Sequence, residues 1–200
     1  MLTAIREAMG TQSVDIDAIL HSQRFIFIDD VIDEKMASSV TKQLLLYAIF
    51  DSSKTVKIII NSSGGSIHSG LVIYDLMRSA NLNIETYCVG KAHSMAAVIC
   101  AAGSRRYILP NSSMMLHEPL FDSKLKTSIS SFNELAKNLL KTKEQLYDIL
   151  SKLTHQPLQT IESITQYDCL FNAEAAVEFG LVDEICGFEK IVEDLHYDSL

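Results

Sequence analysis

Three short runs rich in β-branched and aromatic residues constrain this chain most: Arg24–Ile28 (RFIFI), Thr55–Ile60 (TVKIII) and Asn83–Val89 (NIETYCV). Each is followed by a turn and then by apolar residues at helical spacing. Strands that alternate with helices pair in parallel, because a parallel neighbour is reached through a crossover, and such crossovers are right-handed. TVKIII has almost no polar alternation, as a strand covered on both faces requires. The pattern predicts an α/β fold with a mostly parallel sheet.

The remaining elements follow the same logic. Asp33 opens a helical pattern in which Met36, Val40, Leu44, Leu45 and Ala48 recur. Leu71, Ile73, Tyr74 and Met77 mark a helix after the turn Asn61-Ser-Ser-Gly-Gly65. Tyr107–Leu109 and Ser113–Leu116 read as short strands divided by the turn Pro110-Asn111. From Ser128 to Leu153 apolar residues from Ile129 and Phe132 to Leu150 and Leu153 keep helical spacing. That helix would be roughly 35–40 Å long at about 1.5 Å per residue. It exceeds the width of a small domain, so the apolar stripe predicts a projecting end that packs on another subunit. Pro157 opens a short helix to Thr165, Asn172 caps another over Ala173–Phe179 with Gly180 as its stop, and Leu181–Ile185 reads as a last strand. The segment up to Gln23 is weakly patterned, with one amphipathic piece at Ile16–Leu20.

Composition narrows the class. Two hundred residues, 48% of them hydrophobic, with 3 Pro and 8 Gly, suit one compact domain over 1–200. No linker long enough for a second domain is visible. A net charge of -8 spread along the chain argues against nucleic acid as the main ligand. Cys88, Cys100, Cys169 and Cys186 form no CxxC pair, which reads as reduced, buried thiols in a cytoplasmic compartment and as no metal site. Met1–Gly10 has no secretory pattern, and the longest apolar run, Met95–Ala102, is too short to span a bilayer. A cytoplasmic protein with no membrane partner is expected.

The chemistry centres on Gly90–Gly103 (GKAHSMAAVICAAG), where a strand leads through a tight turn into a buried helix beginning at or beside Ser94. A hydroxyl there can attack a carbonyl while unpaired helix N–H groups receive the oxyanion. Ser is also a common helix cap, and alone it would be read as one. A nucleophilic serine needs a base and an acid. Of six histidines, His117 is best placed, at the end of the short strand Ser113–Leu116 and before Glu118-Pro119. His21, His155 and His196 lie in polar or terminal surroundings, His68 reads as a surface residue, and His93 as a neighbour lining the site. For the acid, Asp168 sits in a loop between rigid elements, with Asp183 and Glu184 as competitors; spacing does not separate them. Gly64-Gly65 directly after a strand lets one backbone N–H face a ligand, and the N–H of Met95 supplies a second. The order Ser–His–Asp and the absence of Gly-x-Ser-x-Gly set the chain apart from chymotrypsin-like, subtilisin-like and α/β-hydrolase enzymes.

Taken together these segments resemble the family of the proteolytic subunit of the Clp protease (ClpP), from about Asp15 to Phe188. VKIIINSSGGSIHSGLVIYDLM is similar to that family's strand, Gly-Gly turn and helix; GKAHSMAAVICAAG to its nucleophile segment; SMMLHEPL to its histidine segment; and QYDCLFNAEAAVEFGLVDEI to its acid segment. The resemblance implies a crotonase/ClpP-like fold of repeated β-β-α units, with 1–23 as an N-terminal segment and 120–155 as a protruding handle region. It implies a serine endopeptidase that hydrolyses unfolded proteins to short peptides through an acyl-enzyme. Ser94, His117 and Asp168 would be catalytic, with Asp168 selected over Asp183, and Gly65 and Met95 would form the oxyanion hole. It further implies two stacked heptameric rings, a tetradecamer, and a partner AAA+ unfoldase of the Clp type such as ClpX, ClpA or ClpC. ATP is used by that partner, and this chain itself needs no cofactor or metal.

The chain departs from the family's pattern at several points. Ser63 replaces the proline usual before Gly-Gly, and His93 and Ala96 stand where small residues and a glycine are usual. Phe121–Lys126 (FDSKLK) lacks the usual glycines, Tyr167 stands where an arginine is common, and Asp17 replaces an aromatic residue. These departures suit a subunit that is weak alone and gains activity in a mixed ring with a paralogous ClpP. A third reading keeps the fold and makes the protein an acyl-CoA enzyme, which would not require the Ser–His–Asp set.

Overall fold

The computed structural model describes residues 2–7, 10–120 and 128–193. A small hairpin pairs β1 (Leu2–Glu7) with β2 (Gly10–Asp15) antiparallel. The weakly patterned N-terminal segment carries no signal for it, since neither run has the strict alternation of a half-buried strand. Next, α1 (Ile16–Ser22) begins at the Asp15 cap and contains the expected amphipathic piece.

The main sheet has the parallel order β3 (Phe25–Ile28), β4 (Val56–Ser62), β5 (Ile84–His93), β6 (Arg105–Ile108) and β9 (Glu184–Ile185). On a branch from β5, β7 (Ser113–Leu116) runs parallel to it and β8 (Cys169–Phe171) antiparallel to β7. The fold is mixed α/β with a mostly parallel sheet, in keeping with the ClpP/crotonase architecture. Between β3 and β4 lies α2 (Glu34–Phe50), after β4 comes α3 (Ile67–Ser79), and after β5 comes α4 (Met95–Ala101).

Alternation of side chains sorts the sheet into two apolar layers. Ile26, Ile28, Ile58, Ile60, Ile84, Cys88 and Ile108 join α2, α3 and the wholly buried α4 in the larger core. Phe25, Tyr87 and Tyr107 point the other way and pack with Cys186 and with Ile191 of α8 (Phe188–Val192). The run TVKIII is thus covered on both faces, and even Lys57 is buried, its ammonium donating to Ile191 O at 2.9 Å. Each fully buried Ile contributes roughly 1.5–3 kcal/mol.

Two sequence expectations are corrected. The buried stripe of α2 is Ala37, Val40, Leu44 and Tyr47, while Leu45 and Ala48 face outward. Tyr47 takes the inner position because its hydroxyl donates to His21 O at 2.8 Å and its ring lies under the Arg24 guanidinium, 4.6 Å away. The last strand is only Glu184–Ile185. Leu181 and Val182 instead donate their N–H groups to Ala176 O in α7 (Ala173–Phe179), and Asp183 is held by Arg106.

The long helix is α5 (Ile129–Thr154), capped by Ser128, and α6 (Leu158–Thr165) follows Pro157. Its buried residues begin only at Leu146, whereas Ile129 is 83% and Phe132 48% exposed, so the first half stands clear of the core. The glycine-free stretch Phe121–Lys126 lies outside the described residues. No helix among the described residues is long and apolar enough to cross a membrane.

Candidate active site

The sheet brings the site together at the carboxyl ends of its parallel strands, where open α/β sheets bind ligands. The first half of β5 pairs with β6, and from Lys91 to His93 it pairs with β7. That change of neighbour occurs at Gly90, whose φ is 91° and whose N–H donates to Ser112 Oγ at 2.8 Å. It sets the end of β5 beside the end of β7, and hence Ser94 beside His117.

Ser94 is the single residue between β5 and α4, with φ 55° and ψ -126°. Residues with a side chain seldom adopt that conformation. It is held by Ser94 N–H donating to Met115 O at 2.8 Å and by Ser94 O accepting from Ala97 N–H at 3.0 Å. The side chain makes no capping bond to α4, so the reading of Ser94 as a helix cap fails. Its hydroxyl lies instead 2.9 Å from His117 Nε2.

Both glycines of the β4 turn are required by close approaches. A Cβ at Gly64, where φ is 91°, would lie 2.6 Å from His93 O and 2.8 Å from Ser94 Cβ. A Cβ at Gly65, where φ is 156°, would press on Ile32, which bonds both neighbours of Gly65: its N–H donates to Gly64 O at 2.9 Å and its carbonyl accepts from Ser66 N–H at 2.8 Å. The N–H groups of Gly65 and Met95 have no backbone acceptor among the described residues. Both residues line the same cavity of about 440 Å³ as Ser94 and His117. Two free donors beside a hydroxyl paired with an imidazole can stabilise an oxyanion as it forms.

The candidate acid is less closely joined. If the Ser94 hydroxyl donates to Nε2, the imidazole proton sits on Nδ1. His117 Nδ1 is buried without a hydrogen-bond partner among the described residues. Asp168 is exposed, in the loop between α6 and β8. Asp183 is engaged elsewhere, receiving Nε of Arg106 at 3.1 Å and its backbone N–H at 2.8 Å, and Glu184 lies in β9.

The other histidines stand apart. His21, His68 and His155 are exposed, and His196 is outside the described residues. His93, expected to line the site, does not line the cavity: its Nε2 lies 3.1 Å from Ser113 Oγ. Consecutive residues of a strand point to opposite faces, which turns it away from Ser94. Burial lowers its pKa, with Lys91 adding to the effect. Ala96 is fully buried in α4 and also leaves the cavity free. Among the described residues no cluster of His, Cys, Asp or Glu is arranged to hold a metal ion. The sequence reading missed the Glu118–Lys143 ion pair (2.8 Å) beside the cavity, for which only the neighbouring His117 offered a hint.

Comparison with known families agrees with this geometry. The family model described as Clp protease matches residues 8–189, nearly the whole chain. On that match, the chain belongs to the Clp protease family of serine-type endopeptidases.

Proposed function

We propose that this chain is the proteolytic subunit of an ATP-dependent Clp protease, with Ser94 as nucleophile, His117 as general base and acid, and Asp168 as the residue that holds the imidazole. The observation that carries the reading is the 2.9 Å contact of Ser94 Oγ with His117 Nε2 at the cavity where Gly65 and Met95 offer free N–H groups. In the first half-reaction Ser94 Oγ attacks the peptide carbonyl and His117 Nε2 takes its proton. The oxyanion is held by Gly65 and Met95 N–H, each such donor being worth about a hundredfold or more in rate. His117 then protonates the leaving amine, and an acyl-enzyme remains. Water, deprotonated by His117, attacks the ester and releases the second product.

Family membership implies oligomerisation and Clp-type ATPase partners. The finer reading is a cytoplasmic tetradecamer of two heptameric rings that receives unfolded proteins from an AAA+ unfoldase. The exposed first half of α5 supports it, because Ile129, Leu135 and Leu140 form an apolar face that no described residue covers. A single domain over 1–200 belongs to the same reading. That His117 Nδ1 has no hydrogen-bond partner among the described residues favours a variant of it, in which full activity requires a mixed ring with a paralogous subunit.

Labelling of the purified protein with a fluorophosphonate, located by peptide mass spectrometry, tests the reading. Labelling confined to Ser94 and lost in Ser94→Ala is expected. An intact fold that takes no label, alone or mixed with a paralogue, overturns it.

A further inference from the structure

The cavity beside Ser94 is walled by apolar side chains, among them Ile67, Val98, Leu146 and Leu150, and by the ring of Tyr147. Apart from His117, one residue of the Asp, Glu, Lys and Arg set lines it among the described residues: Glu118, next to the base. Its position is fixed twice over. Its N–H donates to Thr165 O at 2.8 Å, and its Oε2 accepts from Lys143 Nζ at 2.8 Å. The Lys143 ammonium also stands 5.4 Å from the centroid of the Tyr147 ring, and the Tyr147 hydroxyl is 2.7 Å from that of Thr165. Glu118, Lys143, Tyr147 and Thr165 therefore close a loop of contacts that joins the residue after the base to α5 and to the end of α6. The bond to Glu118 also raises the Lys143 pKa, so the ammonium persists.

A carboxylate in a mostly apolar wall repels an acidic side chain, and an ammonium behind it cancels its pull on a basic one. Lys143 does not itself line the cavity. We propose that the Glu118–Lys143 pair sets the charge selectivity of this cavity: intact, it admits an uncharged side chain on the residue whose carbonyl is attacked, and removal of either partner turns the preference toward the charge opposite to the one that remains. This inference rests on the proposed peptidase reading.

The test uses three peptidyl diphenyl phosphonates that differ only in carrying Leu, Lys or Glu at the phosphorus-bearing residue. Second-order rates of Ser94 modification are compared as ratios within each protein, so a general loss of reactivity cancels. The unaltered chain prefers Leu over both charged probes. Glu118→Gln raises the Glu-to-Leu ratio about fivefold, and Lys143→Met raises the Lys-to-Leu ratio by a similar factor, the scale of a partly exposed charge contact. The exchanged pair, Glu118→Lys with Lys143→Glu, returns both ratios toward the starting values. This arm also shows that a failure of either single variant to fold reflects an unpaired charge. Ratios unchanged in all variants overturn the inference and leave the peptidase reading standing. Absence of Ser94 modification in the unaltered chain, even by a simple fluorophosphonate, overturns both.

Discussion

His117 and Asp168 are the next residues in register beyond the last pair of the β7–β8 ladder, in which Met114 faces Phe171, Met115 faces Leu170 and Leu116 faces Cys169. The ladder stops one step short of them because Glu118 N–H turns aside to Thr165 O. The buried Nδ1 of the imidazole and the exposed carboxylate therefore belong to facing positions without being bonded.

If Asp168 closes that step when the enzyme works, Asp168→Asn leaves Ser94 in place and lowers kcat about a thousandfold or more, with little change in KM. Steady-state peptide hydrolysis measures it. Activity that survives Asp168→Asn within tenfold would remove Asp168 from the mechanism.

Gly64→Ala is expected to silence the enzyme without touching any reacting group. The added methyl would lie 2.6 Å from His93 O and 2.8 Å from Ser94 Cβ, at a φ that disfavours alanine. Ser94 must then shift, and a shift of about 1 Å in a reacting atom costs roughly a hundredfold. Fluorophosphonate labelling rates, read beside thermal unfolding, separate a displaced nucleophile from an unfolded chain.

Arg106 is expected to matter for stability and not for chemistry. Its guanidinium donates to Leu153 O at 2.9 Å, to Gly180 O at 2.8 Å and to the Asp183 carboxylate, tying α5, α7 and β9 together. Lysine keeps the charge but cannot reproduce the fork. Arg106→Lys should cost about 2 kcal/mol by denaturant unfolding, while the pH profile of hydrolysis keeps its shape.

Alkaline pH should destabilise the fold through its buried thiols and phenols. Burial raises Cys100 to about 12 and Cys186 to about 11, from an ordinary 9.0, and pushes Cys88 up further. Tyr47 is likewise raised by burial to about 12. The unfolded chain releases these protons first, so the stabilisation is complete below pH 9 and is lost as pH rises from there through 11 and 12. Thermal midpoints across pH 7 to 11 should stay level and then fall above about 9. Alkylation at pH 8 should spare Cys88, Cys100 and Cys186 until denaturant is added.

The exposed face of α5 gives the last prediction. Leu140→Asp places a charge in the apolar stripe of the projecting half and leaves the core residues from Leu146 onward untouched. Sedimentation velocity should then report a smaller assembly than that of the unaltered chain, with the same circular dichroism spectrum. An unchanged sedimentation coefficient would exclude this stripe from the interface.

The sequence by itself determined most of the local elements and the candidates for the reacting side chains. β-branched runs can be satisfied only as covered strands, and an Asp33, Ser128 or Asn172 cap fixes a helix start through bonds within three residues. Only the tertiary structure decided what depends on distant partners. The φ of Ser94 follows from a bond to Met115 on another strand, and the need for glycine at position 64 follows from the His93–Ser94 turn packed against it. Asp183 is distinguished from Asp168 because Arg106, far from it in the chain, holds it. Glu118 faces the cavity with Lys143 behind it through a contact between residues 25 apart. Such contacts leave no periodicity in the chain, because they are set by the strand order of the sheet and not by neighbours along it.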